Sequence, residues 1–565
     1  MTEDNFNEGF NDSDCVNVRT KRTRTGGPRS KTGCITCRLR RVKCDETKPL
    51  CMRCLRARRE CEGYPSIFAS AKPWEVVKLF STGAMIKPSA NPRIASNKHA
   101  IHSFHFFEKE STKKLAEVWG RELWLKAIPR AAMYSPAMWH AAIAVGSAHE
   151  AHWQKNLGAG VHQSKIEWTF GQYNRAIRAL THPDENGNPP SLDIMISASI
   201  MFMAFEMLRH EHGKAVSHVK SGISMFQEYR RQIRAGNSGE QEKALIPMSS
   251  LEQSLRQVEI QMCELTLDHF PAYPLPVMSL FDPETMPLTA AHRPATFCNF
   301  VSLEEARTEL GYYWHSLMDK LHTEFTPRFR AIAEYSESLS RECDVYKHDV
   351  TVWLDKFKKL VEGYYSQLVP LSSCQRGDIA RLETYALLIL QTVETIWCTD
   401  ESVWDKHLNR FDRILELCRI AASSDQFGDP QCDMKKTDAY CGFQLGNGIV
   451  AATFHTIWKA RAARIRQKAI QLLRAYPRRE AMWDAPMVVT IGEQIDEIER
   501  GSENLYDAAL RDAPADDIPI WKRVRSIGIK FGATSRVAEL TYSIPKSPVG
   551  DTLVEVRRRI CWNMD

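Results

Sequence analysis

Residues 33–64 read GCITCRLRRVKCDETKPLCMRCLRARRECEGY. Six cysteines, Cys34, Cys37, Cys44, Cys51, Cys54 and Cys61, fall within 28 residues, and Arg and Lys fill the spaces between them. The spacing is C-x2-C-x6-C-x6-C-x2-C-x6-C, so CITCRLRRVKC and CMRCLRARREC are one unit written twice. Two C-x2-C pairs of reduced thiols suit tetrahedral zinc. No histidine precedes His99, so nearby imidazole ligands are absent. Two designs remain open. In one, a single zinc takes four cysteines and two are spare. In the other, two zincs share all six, with two cysteines bridging both metals, and the internal repeat favours it.

The metal reading depends on the thiols being reduced. The opening MTEDNFNEGFNDSD is acidic and polar, without the basic start and apolar run of a secretory signal. The cysteines are therefore expected in a reducing compartment, where disulfides are rare. No run of about 18 apolar residues occurs, so no membrane span is expected. The chain has 565 residues, of which 43% are hydrophobic and 25% charged, enough for a large core and more than one domain.

Charge is concentrated around the cysteines. Residues 19–61 carry 15 Lys/Arg against three acids, a formal +12. Residues 1–18 carry −5, and the 504 residues from 62 onward sum to −1. A short basic segment on a nearly neutral body favours a polyanion, most often nucleic acid. The two units differ in this respect. The first has Arg38, Arg40, Arg41 and Lys43 with no acid, whereas the second places Glu60 where the first has Lys43. The first unit is therefore the better face for DNA. The run VRTKRTRTGGPRSK (18–31) reads as a flexible basic arm suited to nuclear import or phosphate contact.

CITCRLRRVKCD, with Pro49 two residues before Cys51, resembles the fungal Zn2Cys6 binuclear-cluster DNA-binding domain. The resemblance implies two Zn²⁺ per chain. Cys34, Cys37, Cys44 and Cys51 would hold one, and Cys51, Cys54, Cys61 and Cys34 the other, with Cys34 and Cys51 bridging. It further implies that Arg40 and Arg41 read CGG triplets, Arg41 at the main base-contacting position, and that Arg38 and Lys43 touch phosphate. Many members follow the cluster with a coiled coil, but no sustained heptad series follows here.

Residues 65–99 read as a linker with four prolines, Pro65, Pro73, Pro88 and Pro92, and one short helix. From about 100 the pattern is helical. Ile166, Phe170, Tyr173, Ile177 and Leu180 step by four and three along one face. LDIMISASIMFMAFEML (192–208) is apolar almost all round and predicts a buried helix. Val216, Val219, Ile223 and Phe226 line another face. Further helices are expected near 377–398, 405–421, 446–468 and 490–511, with loops near 234–250, 271–296 and 421–440. Strand-like alternation is scarce, so helix pairs joined by short polar turns are expected. The stretches MWHAAIAVGSAHEAH and FMAFEMLRHEHGKAVSHVKSGISMF resemble the helical regulatory domain of one branch of the same fungal factors, most clearly over 100–230.

No catalytic constellation is visible. HEAHW (149–153) is not H-E-x-x-H, and CGFQLGNGIV (441–450) lacks the lysine of a phosphate loop. DAALRDAPADDIPIW (507–521) reads as a surface loop, with an acidic activation segment as the second reading.

The sequence thus predicts a mostly α protein. A basic arm (1–30), a Zn2Cys6 domain (31–64) and a linker (65–99) precede a large all-helical regulatory domain (100–565). The expected role is a nuclear, sequence-specific regulator of RNA polymerase II transcription, not an enzyme. Its expected partners are double-stranded DNA, a second copy bound through the helical domain, and a small-molecule effector or co-regulator. The alternative is a helical interaction protein whose zinc module binds nucleic acid without sequence choice.

Overall fold

The computed structural model describes residues 34–61 except 35, 38, 39, 41, 48–50, 58 and 60. It also describes 97–116, 121–156, 163–182, 189–234, 244–266, 299–320, 337–366, 370–395 and 400–426. The last described stretch is 442–562 except 447, 502, 533–535 and 549–551. The expected arm and the expected helix within 65–96 lie outside the described residues. The chain divides into two compact units after Pro65.

In the first unit, Met52–Arg56 forms a five-residue helix, α1. The second unit is mainly helical. Its helices include α2 (Lys98–Phe106), α3 (Pro136–Asn156), α4 (Gln163–Thr181), α5 (Leu192–Leu208), α6 (His212–Arg234) and α7 (Met248–Thr266). Three more, α8 (Leu303–Lys320), α9 (Glu337–Tyr365) and α10 (Ser373–Thr395), precede α11 (Leu408–Gln426). The last four are α12 (Val450–Lys459), α13 (Ala463–Ala475), α14 (Ala485–Arg500) and α15 (Leu505–Leu510).

α5 behaves as its composition requires: every residue after Leu192 is buried. α4 and α6 turn their stripes inward, with Leu180, Val219, Ile223 and Phe226 buried. Ile166, in the first turn of α4, departs from its expected stripe and stays 38% exposed. Only Arg209–Glu211 join α5 to α6, so the two helices return alongside each other.

Two large cores form in the second unit, beside two small clusters around Ile143 and Ala508. The larger draws on 107–258 and then on 380–562. The smaller is made by α8, α9 and α10, with Trp353 fully buried, its ring stacked on Phe357 at 4.6 Å.

The mostly α class is observed, but the body is not helical throughout. β1 (Gly442–Gln444) pairs in parallel with β2 (Arg478–Glu480), which pairs antiparallel with β3 (Trp483–Asp484). A second sheet runs β4 (Ser526–Phe531), β5 (Val537–Pro545), β6 (Leu553–Cys561), antiparallel throughout. Its alternation is present in the sequence. Ile527 and Ile529, then Ala538, Leu540 and Tyr542, face inward at period two. In β6 the inward series contains Arg558, which disguises the apolar pattern.

Two expected helices are each divided. The segment 446–468 breaks at Ala460–Ala462, where Arg461 is fully buried in an ion network. The segment 490–511 breaks at Gly501, whose φ of 76° ends α14 in a conformation glycine adopts freely. Residues 507–521 are also more ordered than a surface loop, since Ala508, Ala513, Ala515 and Ile518 are buried.

Buried polar groups hold the C-terminal half together. Arg466 donates to Asp496 at 2.8 Å and Glu499 at 2.6 Å. Arg461 meets Glu499 at 3.3 Å and Glu401 at 2.8 Å, and Lys459 meets Glu401 at 3.1 Å. The guanidiniums keep the Glu499 carboxyl below its ordinary range despite its burial. Glu480 caps α12 from a neighbouring strand. Its carboxylate accepts from the Gly448, Ile449 and Val450 amides, each at 2.8 Å. A Cβ on Gly448 would lie 2.4 Å from Glu480 Oε1, so the cap requires glycine there.

Candidate metal centre and nucleic-acid interface

A segment of some 30 residues is too short to bury an adequate apolar core, and this one is organised around sulfur instead. Cys34, Cys37, Cys51 and Cys54 are fully buried and Cys44 nearly so. The Sγ atoms of the four fully buried cysteines lie within 4.8 Å of one another. Cys34 Sγ is 3.8 Å from Cys54 Sγ, and Cys37 Sγ is 3.6 Å from Cys51 Sγ and 3.7 Å from Cys54 Sγ. Thiols of the two sequence units are therefore interleaved at one centre.

The internal repeat is repeated in the backbone. The Cys37 amide donates to Cys34 Sγ, and the Cys54 amide to Cys51 Sγ, both at 3.3 Å. The Cys34 amide donates to Cys44 Sγ, and the Cys51 amide to Cys61 Sγ, both at 3.4 Å. Arg40 N to Thr36 O at 3.1 Å is matched by Ala57 N to Arg53 O at 3.2 Å. Val42 N to Cys37 O is matched by Arg59 N to Cys54 O. Each sequence unit thus folds the same way about its first cysteine.

The donor set fits zinc. Backbone N–H groups aimed at sulfur stabilise thiolate, as ligating sulfur requires. Without a cation, burial dominates: it pushes the thiols of Cys34, Cys37 and Cys54 up, Cys37 to about 12. A divalent ion among them reverses that preference.

Asp45, the last residue of CITCRLRRVKCD, has a positioning role that the reading of the sequence did not assign. Its carboxylate accepts from the Thr47 amide at 3.0 Å, the Met52 amide at 3.2 Å and the Arg53 amide at 2.5 Å. The Thr47 bond contributes most to holding its carboxyl down at about 2. Asp45 thereby ties the loop after Cys44 to the start of α1. The signal available was an acid directly after the third cysteine in an otherwise basic stretch.

Arg40 and Lys43 are exposed. Arg38 and Arg41 lie outside the described residues. Thr36 and Cys37 are helical, so Arg40 stands just beyond the first turn of the first unit.

The histidines of HEAHW have protein neighbours. His149 is buried and its Nδ1 lies 2.9 Å from Ser111 Oγ, while His152 packs 6.4 Å from the His210 ring. Burial drives the His149 imidazole down to about 3. No helix among the described residues is long and apolar enough to cross a membrane.

Comparison with known proteins places the cysteine segment. Residues 32–69 match the family described as Fungal Zn(2)-Cys(6) binuclear cluster domain. The chain is 24% identical over 420 residues to the aspercryptin biosynthesis cluster-specific transcription regulator atnN of Emericella nidulans, covering 70% of this chain and 65% of that one. It is 68% identical over 38 residues to the transcriptional regulatory protein moc3 of Schizosaccharomyces pombe, covering 7% of this chain and 8% of that one. With the transcription regulator lscL of Purpureocillium lilacinum it shares 24% over 208 residues, 35% of this chain and 49% of that one. In each case it spans less than two thirds of the relative's length. No solved structure matches. The cysteine segment is thus a fungal Zn(2)-Cys(6) binuclear cluster domain, and the relatives that the chain resembles are named transcription regulators.

Proposed function

We propose that this chain is a nuclear, sequence-specific DNA-binding regulator of RNA polymerase II transcription that reads CGG-type triplets through its first cysteine unit. The supporting observation is the asymmetry of two otherwise equivalent units. Both fold alike about sulfur, yet only the first carries basic residues without an acid between its second and third cysteines. Six thiolates and two Zn²⁺ sum to −2, so the metal leaves the segment positive.

In this reading the six cysteines would hold two zinc ions, with Cys34 and Cys51 the ligands that both would share. Two tetrahedra need about eight ligand places, which six cysteines fill only by sharing two. Cys34 lies near Cys37 and Cys44 on one side and Cys54 and Cys61 on the other. Cys51 lies near Cys37 and Cys44 as well as Cys54. These are the neighbours a bridging thiolate would have. Zinc supplies the fold, and the protein's own residues do the recognition. Arg40 and Arg41 offer paired donors to guanine O6 and N7, and Arg38 and Lys43 meet phosphate. The helical unit serves regulation, with self-association through residues beyond 100 and an effector or co-regulator as its partners.

The decisive comparison is affinity for a CGG-containing duplex against a scrambled duplex of equal length at several salt concentrations. A preference of about 10³-fold or more fits the reading. Equal affinities would support the alternative, a zinc module that binds nucleic acid without sequence choice.

A further inference from the structure

Among the described residues, the second sheet leaves one long edge without a partner strand. β4 is packed against α7, and β5 is central. β6 is nine residues long and pairs with β5 alone among the described residues. The direction of its backbone groups can be read from its two ends. Thr552 O accepts from Lys546 N at 2.8 Å, and Trp562 N donates to Arg536 O at 3.3 Å. Both bonds run toward β5 in the same register as Tyr542 opposite Val556. Because successive residues of a strand turn their N–H and C=O to opposite edges, Val554, Val556, Arg558 and Ile560 bond to β5. Leu553, Glu555, Arg557, Arg559 and Cys561 present theirs to the open edge.

The side chains on that alternate series are exposed, Leu553 by 49%. They also carry both charges. Arg557 Nη2 lies 3.3 Å from Glu555 Oε2 within the strand. An unpaired edge of this length is a template for another strand. We infer that β6 pairs antiparallel with β6 of a second copy of this chain, about a two-fold axis at Val556, to make a continuous six-stranded sheet.

The charge order selects this occupant and this register. With the axis at Val556, Glu555 faces Arg557 of the second copy, and symmetry repeats the pair. Leu553 then faces the aliphatic stem of Arg559. Moving the axis to Glu555 sets two carboxylates opposite each other, and moving it to Arg557 sets two guanidiniums opposite each other, both unfavourable. A slip of one residue would oppose edge-facing groups to residues already bonded to β5. Of the registers centred on Glu555, Val556 and Arg557, the one at Val556 satisfies the backbone and sets opposite charges against each other twice.

This deepens the self-association proposed above and does not depend on DNA. The test is sedimentation velocity of the full, zinc-loaded chain without DNA at micromolar concentration and low salt. The wild type should dimerise. Arg557→Pro should be monomeric with an unchanged melt, since the lost N–H faces away from β5. Glu555→Arg should weaken the dimer by about tenfold or more, because it doubles a like-charge contact by symmetry. Glu555→Arg combined with Arg557→Glu should restore it. A monomeric wild type would overturn both self-association and this pairing. A dimer that survives Arg557→Pro, or that the exchanged pair fails to restore, would overturn the pairing alone. Should Arg557→Pro melt early, the exchanged pair decides.

Discussion

Single residues matter in two ways in this chain, in the proposed reading of DNA and in closing buried hydrogen bonds. For the first, Arg41→Ala should remove a base contact costing roughly 1–3 kcal/mol on a CGG duplex and little on scrambled DNA. Arg38→Ala should weaken both duplexes alike and lower the salt slope by about one unit. Zinc content of each variant must match wild type for the comparison to count. Equal losses on both duplexes for Arg41→Ala would show that it holds backbone, not bases. For the second, Glu480→Ala should destabilise the body by roughly 3 kcal/mol or more, since three buried amides lose their acceptor. Gly448→Ala should act in the same direction by displacing that carboxylate. Chemical denaturation with unchanged zinc content would register both. The clustering of the cysteines was legible because their spacing is a local property. Glu480 and Arg461 were not, because their partners lie 32 and 60 residues away.

At the level of elements, the metal segment is the piece whose folding depends on an added ion. Zinc analysis should return about two ions per chain, as bridging requires. Cys34→Ala or Cys51→Ala should abolish order in the segment, whereas Cys37→Ala should leave part of it, because a bridging thiolate serves both metals. A single ion with two freely alkylated thiols would rule out bridging. Helices were read well where one face met one core, as in α5 and α6. The sheets were missed for different reasons. β1, β2 and β3 are two or three residues long and buried on both faces, so no alternation can show. β6 alternates, but Arg558 occupies an inward position and pairs with Glu497 at 3.0 Å.

For the molecule as a whole, pH dependence follows from histidines buried in neutral form. Burial lowers His149 to about 3 and His212 and His218 to about 4. The unfolded chain takes up protons as pH falls through about 6.5, while the folded chain refuses them until well below 5. Each such histidine should therefore cost roughly 1.5 kcal/mol of stability between pH 6.5 and 5. The melting temperature of the body should fall over that window. His149→Asn, which keeps a polar atom for Ser111 but cannot titrate, should make the fall shallower. A melt independent of pH from 7 to 5 would contradict this.

The order in which the two cores draw on the chain bears on how the protein is made. The larger core takes 107–258, skips the α8–α9 region, and is completed by residues up to Trp562. Arg479 reaches back to Met207 O at 2.6 Å, and Gln261 donates to Leu445 O at 2.9 Å. A ribosome delivering the chain from its N-terminus therefore releases α3–α7 long before their covering surface exists. The α8–α10 core, by contrast, is contiguous and can close as soon as it emerges. Synthesis should pass through a state in which the middle of the body is finished while the first half still exposes apolar surface. In that interval the nascent chain is a client for chaperones, and a frameshift or stop codon late in the gene should lead to aggregation and turnover, not to a shortened working regulator.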